Sequence, residues 1–184
     1  MPDGYARLHP APIVNAANAV TTARICAVPV AAWLVLHHHW GPAFAVCATA
    51  GLSDALDGWL ARRYGPTPLG ALLDPLADKA MVAALFITLA ITGLLPDWIA
   101  ILAVFRDIVI LGGIALLRIS GTAVIIKALP ISKVNTALQL LLVAVTLGLP
   151  AFGIEAPGLV IALVVAVAIG TVLSGGAYIV RLAR

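Results

Sequence analysis

Four of the eight acidic residues in this 184-residue chain crowd into one short stretch: Asp54, Asp57, Asp74 and Asp78. Asp54 and Asp57 are spaced i, i+3, and Asp74 and Asp78 are spaced i, i+4, so each pair shares one face of a helix. Residues 64–69 between them, with Gly65, Pro66 and Pro68, turn the chain back. Two antiparallel helices would then aim two carboxylate pairs at one pocket. A carboxylate at the centre of a bilayer costs about 2.5–3.5 kcal/mol, and four together repel one another, so something positive must neutralise them. Hard oxygen ligands in this number suit Mg²⁺ or Mn²⁺ rather than zinc, which favours Cys and His. Two such ions about 3.5–4 Å apart would absorb most of the charge and clamp a phosphoryl group.

The neighbouring residues fit that chemistry or have plainer roles. Gly51, Ser53, Ala55, Gly58, Ala61, Gly70 and Ala77 are small, which lets helices pack closely in lipid and leaves room for a substrate. For Gly58, beside Asp57, packing and substrate contact both stand. Arg62, five positions after Asp57, can reach a phosphate held at the carboxylates, whereas Arg63 is read as a snorkelling, topology-setting charge. Arg106 and Asp107 sit inside an apolar stretch. They form either a functional pair, with Arg106 binding an acceptor anion, or a mutually neutralising structural one. Lys133 and Arg118 have the same acceptor role and a topology-setting role open to them. Asn135 and Gln139, i and i+4, face either the pocket or another helix. The run His37-His38-His39 cannot present three imidazoles to one side of a helix, so a loop or interfacial role is expected rather than a metal cluster. Cys26 and Cys47 lie in apolar runs and are expected as buried free thiols.

The elements that must position these residues are helices in lipid. The chain is 62% hydrophobic and only 10% charged. Its mean hydropathy is +1.11. A soluble domain needs about a quarter of its residues charged. This composition excludes an ordinary soluble enzyme and a disordered chain. A net charge of +3, scattered along the sequence, excludes a basic face for nucleic acid. Apolar stretches of about 20 residues, the length that crosses a bilayer, run over 19–37, 43–63, 70–93, 97–118, 133–150 and 157–181. The expected fold is therefore an all-α integral membrane protein of six transmembrane helices, a single domain over 1–184 with a loose tail at 1–14. Of the 11 Lys and Arg residues, all but Arg106 fall on one side of that six-span reading, Arg24, Lys79 and Lys133 among them. This is a positive-inside pattern that places both termini in the cytoplasm. No transit-peptide pattern is recognised, which points to a bacterial inner membrane.

The stretch from Asp54 to Asp78 reads D-x2-D-G-x2-A-R-x7-G-x3-D-x3-D and resembles the signature of the CDP-alcohol phosphotransferases, membrane enzymes of phospholipid synthesis. Upstream, Asn15-x2-Asn18-x2-Thr21-x2-Arg24 resembles the N-terminal stretch of the phosphatidylglycerophosphate and cardiolipin synthase branches. Downstream, Phe105-Arg106-Asp107 and Ile131-Ser132-Lys133-Val134-Asn135-Thr136 resemble the cardiolipin synthases of mitochondrial type. The resemblance implies a six-helix fold, usually a homodimer, and two Mg²⁺ or Mn²⁺ ions held by Asp54, Asp57, Asp74 and Asp78, with Asp78 also the general base. It implies that Gly58, Arg62 and Thr67 contact the CDP moiety. Asn18 and Thr21 either hydrogen-bond the cytosine or ribose or cap the helix. It implies transfer of a phosphatidyl group from CDP-diacylglycerol to phosphatidylglycerol, with Arg106 and Lys133 on the acceptor. The same donor with glycerol 3-phosphate as acceptor is the nearest alternative, and an ion transporter is the non-enzymatic one.

Overall fold

The computed structural model describes the backbone of residues 16–64, 68–119 and 130–182, and the side chains of 22–53, 78–113 and 130–178. These residues form six α-helices and no strand: α1 Ala16–Leu36, α2 Trp40–Tyr64, α3 Pro68–Ile91, α4 Asp97–Ile119, α5 Pro130–Ala151 and α6 Pro157–Leu182. The all-α expectation holds, and each helix covers one of the apolar stretches read from the sequence.

Local chemistry sets the ends. Helices α3, α5 and α6 begin on Pro68, Pro130 and Pro157, where the missing N–H costs nothing and φ is already helical. The turns after α1, α3 and α5 share one closing motif. The residue just past the helix adopts positive φ (His38 at 59°, Gly93 at 77° and Gly153 at 66°). The next N–H then reaches back five residues: His39 to Leu34, Leu94 to Leu89, and Ile154 to Leu149, at 2.8–3.0 Å. This satisfies carbonyls that the helix end leaves open. Gly93 and Gly153 adopt the conformation freely, whereas His38 does so as an L-residue.

The helices close into a ring in the order α1, α3, α4, α6, α5, α2, and α3 also touches α5 across it. Among the described residues α2 and α3 do not pack on each other; α1 and α5 each touch both. The core contains Phe86, Leu89, Ile99, Leu142 and Leu147. Polar side chains are also buried there: Arg24, Arg106, Asn135, Gln139, Thr171 and Ser174. The exterior is the reverse. Ile101, Phe105 and Ile108 form an exposed stripe at helical spacing on α4, and Ile161, Val165, Ile169 and Val172 form another on α6. Polar groups inside and large apolar groups outside is the distribution of a bundle associated with a membrane. Among the described residues, Pro130–Ala151 and Pro157–Tyr178 are long and apolar enough to cross one.

Several helix hydroxyls are satisfied within their own helix. Thr49 donates to the Ala45 carbonyl at 2.9 Å, and Ser53 to the Thr49 carbonyl at 2.8 Å. Asn135 and Thr171 bond across the α5–α6 interface at 3.1 and 3.3 Å. Gly170 makes this approach possible, since a Cβ there would sit 2.5 Å from the Asn135 Oδ1. Both cysteines are free; Cys47 is half-buried, but Cys26 faces outward on α1 rather than into the core. Its apolar neighbours Ile25 and Val30 are exposed too, so an apolar run did not mark an inward face.

Candidate functional site

The site lies at the end of the bundle where α1, α3 and α5 begin and α4 and α6 end. Helix α1 brings Arg24 against α3. Arg24 is buried, and its Nη1 donates to Asp78 Oδ1 at 2.8 Å. The two side chains differ sharply in exposure: 4% for Arg24 and 46% for Asp78. The carboxylate is thus gripped by a buried guanidinium while keeping about half of its surface exposed. It opens into a cavity of about 350 Å³ walled by α1, α2, α3 and α5. Arg24, Asp78 and Lys79 give this cavity its charge, and Cys47, Gly51, Val82 and Val143 line its apolar part. The gap between α2 and α3 is this cavity.

A second cavity, also about 350 Å³, lies between α3, α4 and α5. Lys79 and Thr136 line both. Its polar wall is an ion-pair network. Asp107 Oδ1 accepts from Lys79 Nζ and from Arg106 Nη1, each at 2.6 Å. Arg106 Nη2 also donates to Ser132 Oγ at 2.5 Å and Ser174 Oγ at 2.6 Å. One buried guanidinium therefore ties α4 to the start of α5 and the end of α6, and Asp107 ties α4 to α3. Adjacent Arg106 and Asp107 neutralise each other, as the structural reading of the pair expects, and Arg106 also lines the cavity. Lys133 lines the same cavity, exposed, with no ion-pair partner among the described residues.

The remaining expected site residues divide by position. Asp54, Asp57, Gly58 and Arg62 lie on helical backbone in α2, Asp74 in α3, and Asn18 and Thr21 in α1. Their side chains are outside the described residues, as is Thr67 altogether. The helical backbone does put Asp54 and Asp57 one turn apart on α2, and Asp74 and Asp78 one turn apart on α3. Among the described residues no group of three or more His, Cys, Asp or Glu is placed to hold a metal. Asp78, a hard oxygen donor open to a cavity, fits a hard divalent cation. The three histidines do not converge. His37 stacks on Trp33 at 4.3 Å between ring centroids, and His38 meets Trp40 edge-on at 5.1 Å. They lie at the turn between α1 and α2, as expected of a loop or interfacial run.

Sequence reasoning missed two partners. Arg24 was read as a topology-setting charge and as part of the upstream stretch, and Lys79 as a topology-setting charge, yet both are ion-paired inside the bundle. For Arg24 a signal existed: Asn18, Thr21 and Arg24 recur every three residues, a spacing that keeps polar groups near one face. For Lys79, its place directly after Asp78 hid its partner on another helix.

The sequence profile of the family described as CDP-alcohol phosphatidyltransferase matches residues 14–173. The chain is 36% identical over 160 residues to the chloroplastic CDP-diacylglycerol–glycerol-3-phosphate 3-phosphatidyltransferase 1 of Oryza sativa, covering 77% of this chain and 49% of that protein. It is 34% identical to the cardiolipin synthase (CMP-forming) of Rattus norvegicus, covering 73% of this chain and 50% of that protein. The chain thus spans about half the length of these two relatives. It is also 35% identical over 181 residues to a Mycobacterium tuberculosis protein named as a probable phosphatidylglycerophosphate synthase, covering 94% of this chain and 83% of that protein. With the profile running from the start of the first helix well into the sixth, the chain belongs to the CDP-alcohol phosphatidyltransferase family.

Proposed function

We propose that the protein transfers a phosphatidyl group from CDP-diacylglycerol to the terminal hydroxyl of phosphatidylglycerol, releasing CMP and forming cardiolipin. Family membership supports the transfer. The Ser132-Lys133-Val134-Asn135-Thr136 run and the second cavity support the lipid acceptor. The single observation that carries this acceptor is the commitment of Arg106. Its guanidinium is bound to Asp107, Ser132 and Ser174, and Lys79 is bound to the same Asp107. Lys133 is then the cation in that cavity without an ion-pair partner among the described residues. Such a pocket suits the single charge of a phosphodiester better than the two charges of a phosphomonoester.

In this reading Asp54, Asp57, Asp74 and Asp78 hold two divalent cations, Mg²⁺ or Mn²⁺, which when bound offset the charge of the donor's pyrophosphate. Gly58 lets the donor approach α2, and Arg62 and Thr67 hold its phosphates and ribose. Asn18 and Thr21 hydrogen-bond its cytosine or ribose. Lys133 orients the acceptor phosphodiester, while Arg106, bound to Asp107, Ser132 and Ser174, holds the wall of that cavity. Asp78 takes the proton as the acceptor oxygen bonds to the phosphorus that carries diacylglycerol. The bond from that phosphorus to the bridging oxygen breaks, and its electron pair leaves with CMP. Six helices crossing the membrane as one domain over 1–184, a tail at 1–14 and both termini in the cytoplasm fit the ten cations on one side. A homodimer in a bacterial inner membrane completes the proposal.

A second reading has glycerol 3-phosphate as acceptor. It is favoured by the 35% identity over 94% of this chain to the Mycobacterium tuberculosis protein named for phosphatidylglycerophosphate synthesis. Purified protein with Mg²⁺ and CDP-diacylglycerol is offered each acceptor separately, and the lipid product is identified by mass spectrometry. Cardiolipin formed from phosphatidylglycerol is expected. Phosphatidylglycerophosphate formed from glycerol 3-phosphate alone would replace the first reading with the second. No CMP release with either acceptor would refute both.

A further inference from the structure

We propose that Arg24 is a built-in counter-ion of the carboxylate site, supplying the positive charge on which Asp78 relies when no divalent cation is bound. The inference rests on the reading that Asp78 helps to hold such a cation.

A buried guanidinium in a bundle of this composition needs an anion, because an uncompensated buried charge is strongly destabilising. Arg24 is 5% exposed, and its Nη1 is 2.8 Å from Asp78 Oδ1. The partners are 54 residues apart in sequence and on different helices, so the pair also joins α1 to α3. Asp78, at 46% exposure, keeps an open side toward the cavity that both residues line. Arg24 and a cation arriving from the cavity would then both lie against the Asp78 carboxylate.

That arrangement fixes the sign of the effect. Arg24 stabilises the cation-free site, and the same charge repels an incoming divalent ion across a few ångströms of partly screened medium. Removing it destabilises the empty site and tightens the filled one. A residue that merely held Asp78 in place would act oppositely, since losing such a support weakens cation binding about 10–100-fold.

The test uses the full chain in detergent micelles with Mn²⁺ as probe. Mn²⁺ affinity is read by electron paramagnetic resonance, and thermal unfolding midpoints are taken with and without Mn²⁺. Arg24→Gln is expected to bind Mn²⁺ about tenfold or more tighter than the unsubstituted protein. It is also expected to have a lower cation-free midpoint and a larger upward shift on adding Mn²⁺. Arg24→Lys retains the charge and is expected to bind Mn²⁺ within about threefold of the unsubstituted protein. An Arg24→Gln protein that can be purified folded only with Mn²⁺ present would also support the proposal. Unchanged or weaker Mn²⁺ binding by Arg24→Gln would overturn it, as would failure to fold even in millimolar Mn²⁺. If the unsubstituted protein binds no Mn²⁺, the cation site itself is refuted and the inference falls with it. If that protein binds Mn²⁺ and Arg24→Gln binds it no tighter, only the inference falls.

Discussion

Replacing Asp107 by Asn should cost far more stability than replacing Lys79 by Met, although both changes break the same 2.6 Å ion pair. The difference comes from what each change leaves behind. Lys79 is 25% exposed and Asp107 13%, while Arg106 is 4% exposed. Without Lys79, the Asp107 carboxylate still accepts from Arg106, so the loss is that of a partly exposed pair, about 1 kcal/mol. Without the Asp107 charge, the buried Arg106 guanidinium keeps only neutral acceptors: Ser132, Ser174 and the amide oxygen that replaces the carboxylate. Stranding a buried charge costs about 3–5 kcal/mol. The double change Arg106→Met with Asp107→Leu removes both buried charges and should recover most of that loss, because apolar replacement of a buried pair is often neutral or better. Unfolding of the purified protein in mixed micelles, followed by circular dichroism against added SDS, gives the four midpoints. Equal losses for Asp107→Asn and Lys79→Met would refute the reasoning, as would a double variant no more stable than Asp107→Asn.

Two further outcomes follow from the packing. Gly170→Ala should destabilise by about 1–3 kcal/mol, since overpacking and the loss of the Asn135–Thr171 bonds exceed the roughly 1 kcal/mol regained by removing a helix glycine. In the same unfolding assay Asn135→Ala should relieve part of that loss; strictly additive effects would show that the close approach is not the cause. At the turn after α1, His38→Val should cost about 1–2 kcal/mol, because a β-branched residue is forced to φ near 59°. His38→Gly should stay within about 0.5 kcal/mol of the unsubstituted protein, with the backbone gain offsetting the lost contact with Trp40. Equal stability of the Val and Gly variants would contradict the positive-φ assignment.

The helices were legible because their signals are local. Proline at 68, 130 and 157 and glycine at 93 punctuate apolar runs, and each acts within a turn or two. His38 was not legible as a helix terminator: histidine carries little preference for positive φ, and the conformation comes from the chain reversal between α1 and α2. The acidic pairs were legible from spacing, since i, i+3 and i, i+4 mean one face on any helix. Their counter-charges were not. Arg24 reaches Asp78 across 54 residues, a separation that no periodicity encodes. Charge position along a span predicts which side of the membrane it favours, but not whether the side chain points to water or to another helix. Arg24 and Lys79 point to other helices.

The account depends on divalent cations seated among the carboxylates of α2 and α3. Diffraction from crystals grown with Mn²⁺, collected at a wavelength where manganese scatters anomalously, tests this directly. Two anomalous peaks about 3.5–4 Å apart, within bonding distance of Asp54, Asp57, Asp74 and Asp78, are predicted. Ordered carboxylates with no peak among them, or side chains turned away from a common centre, would contradict it.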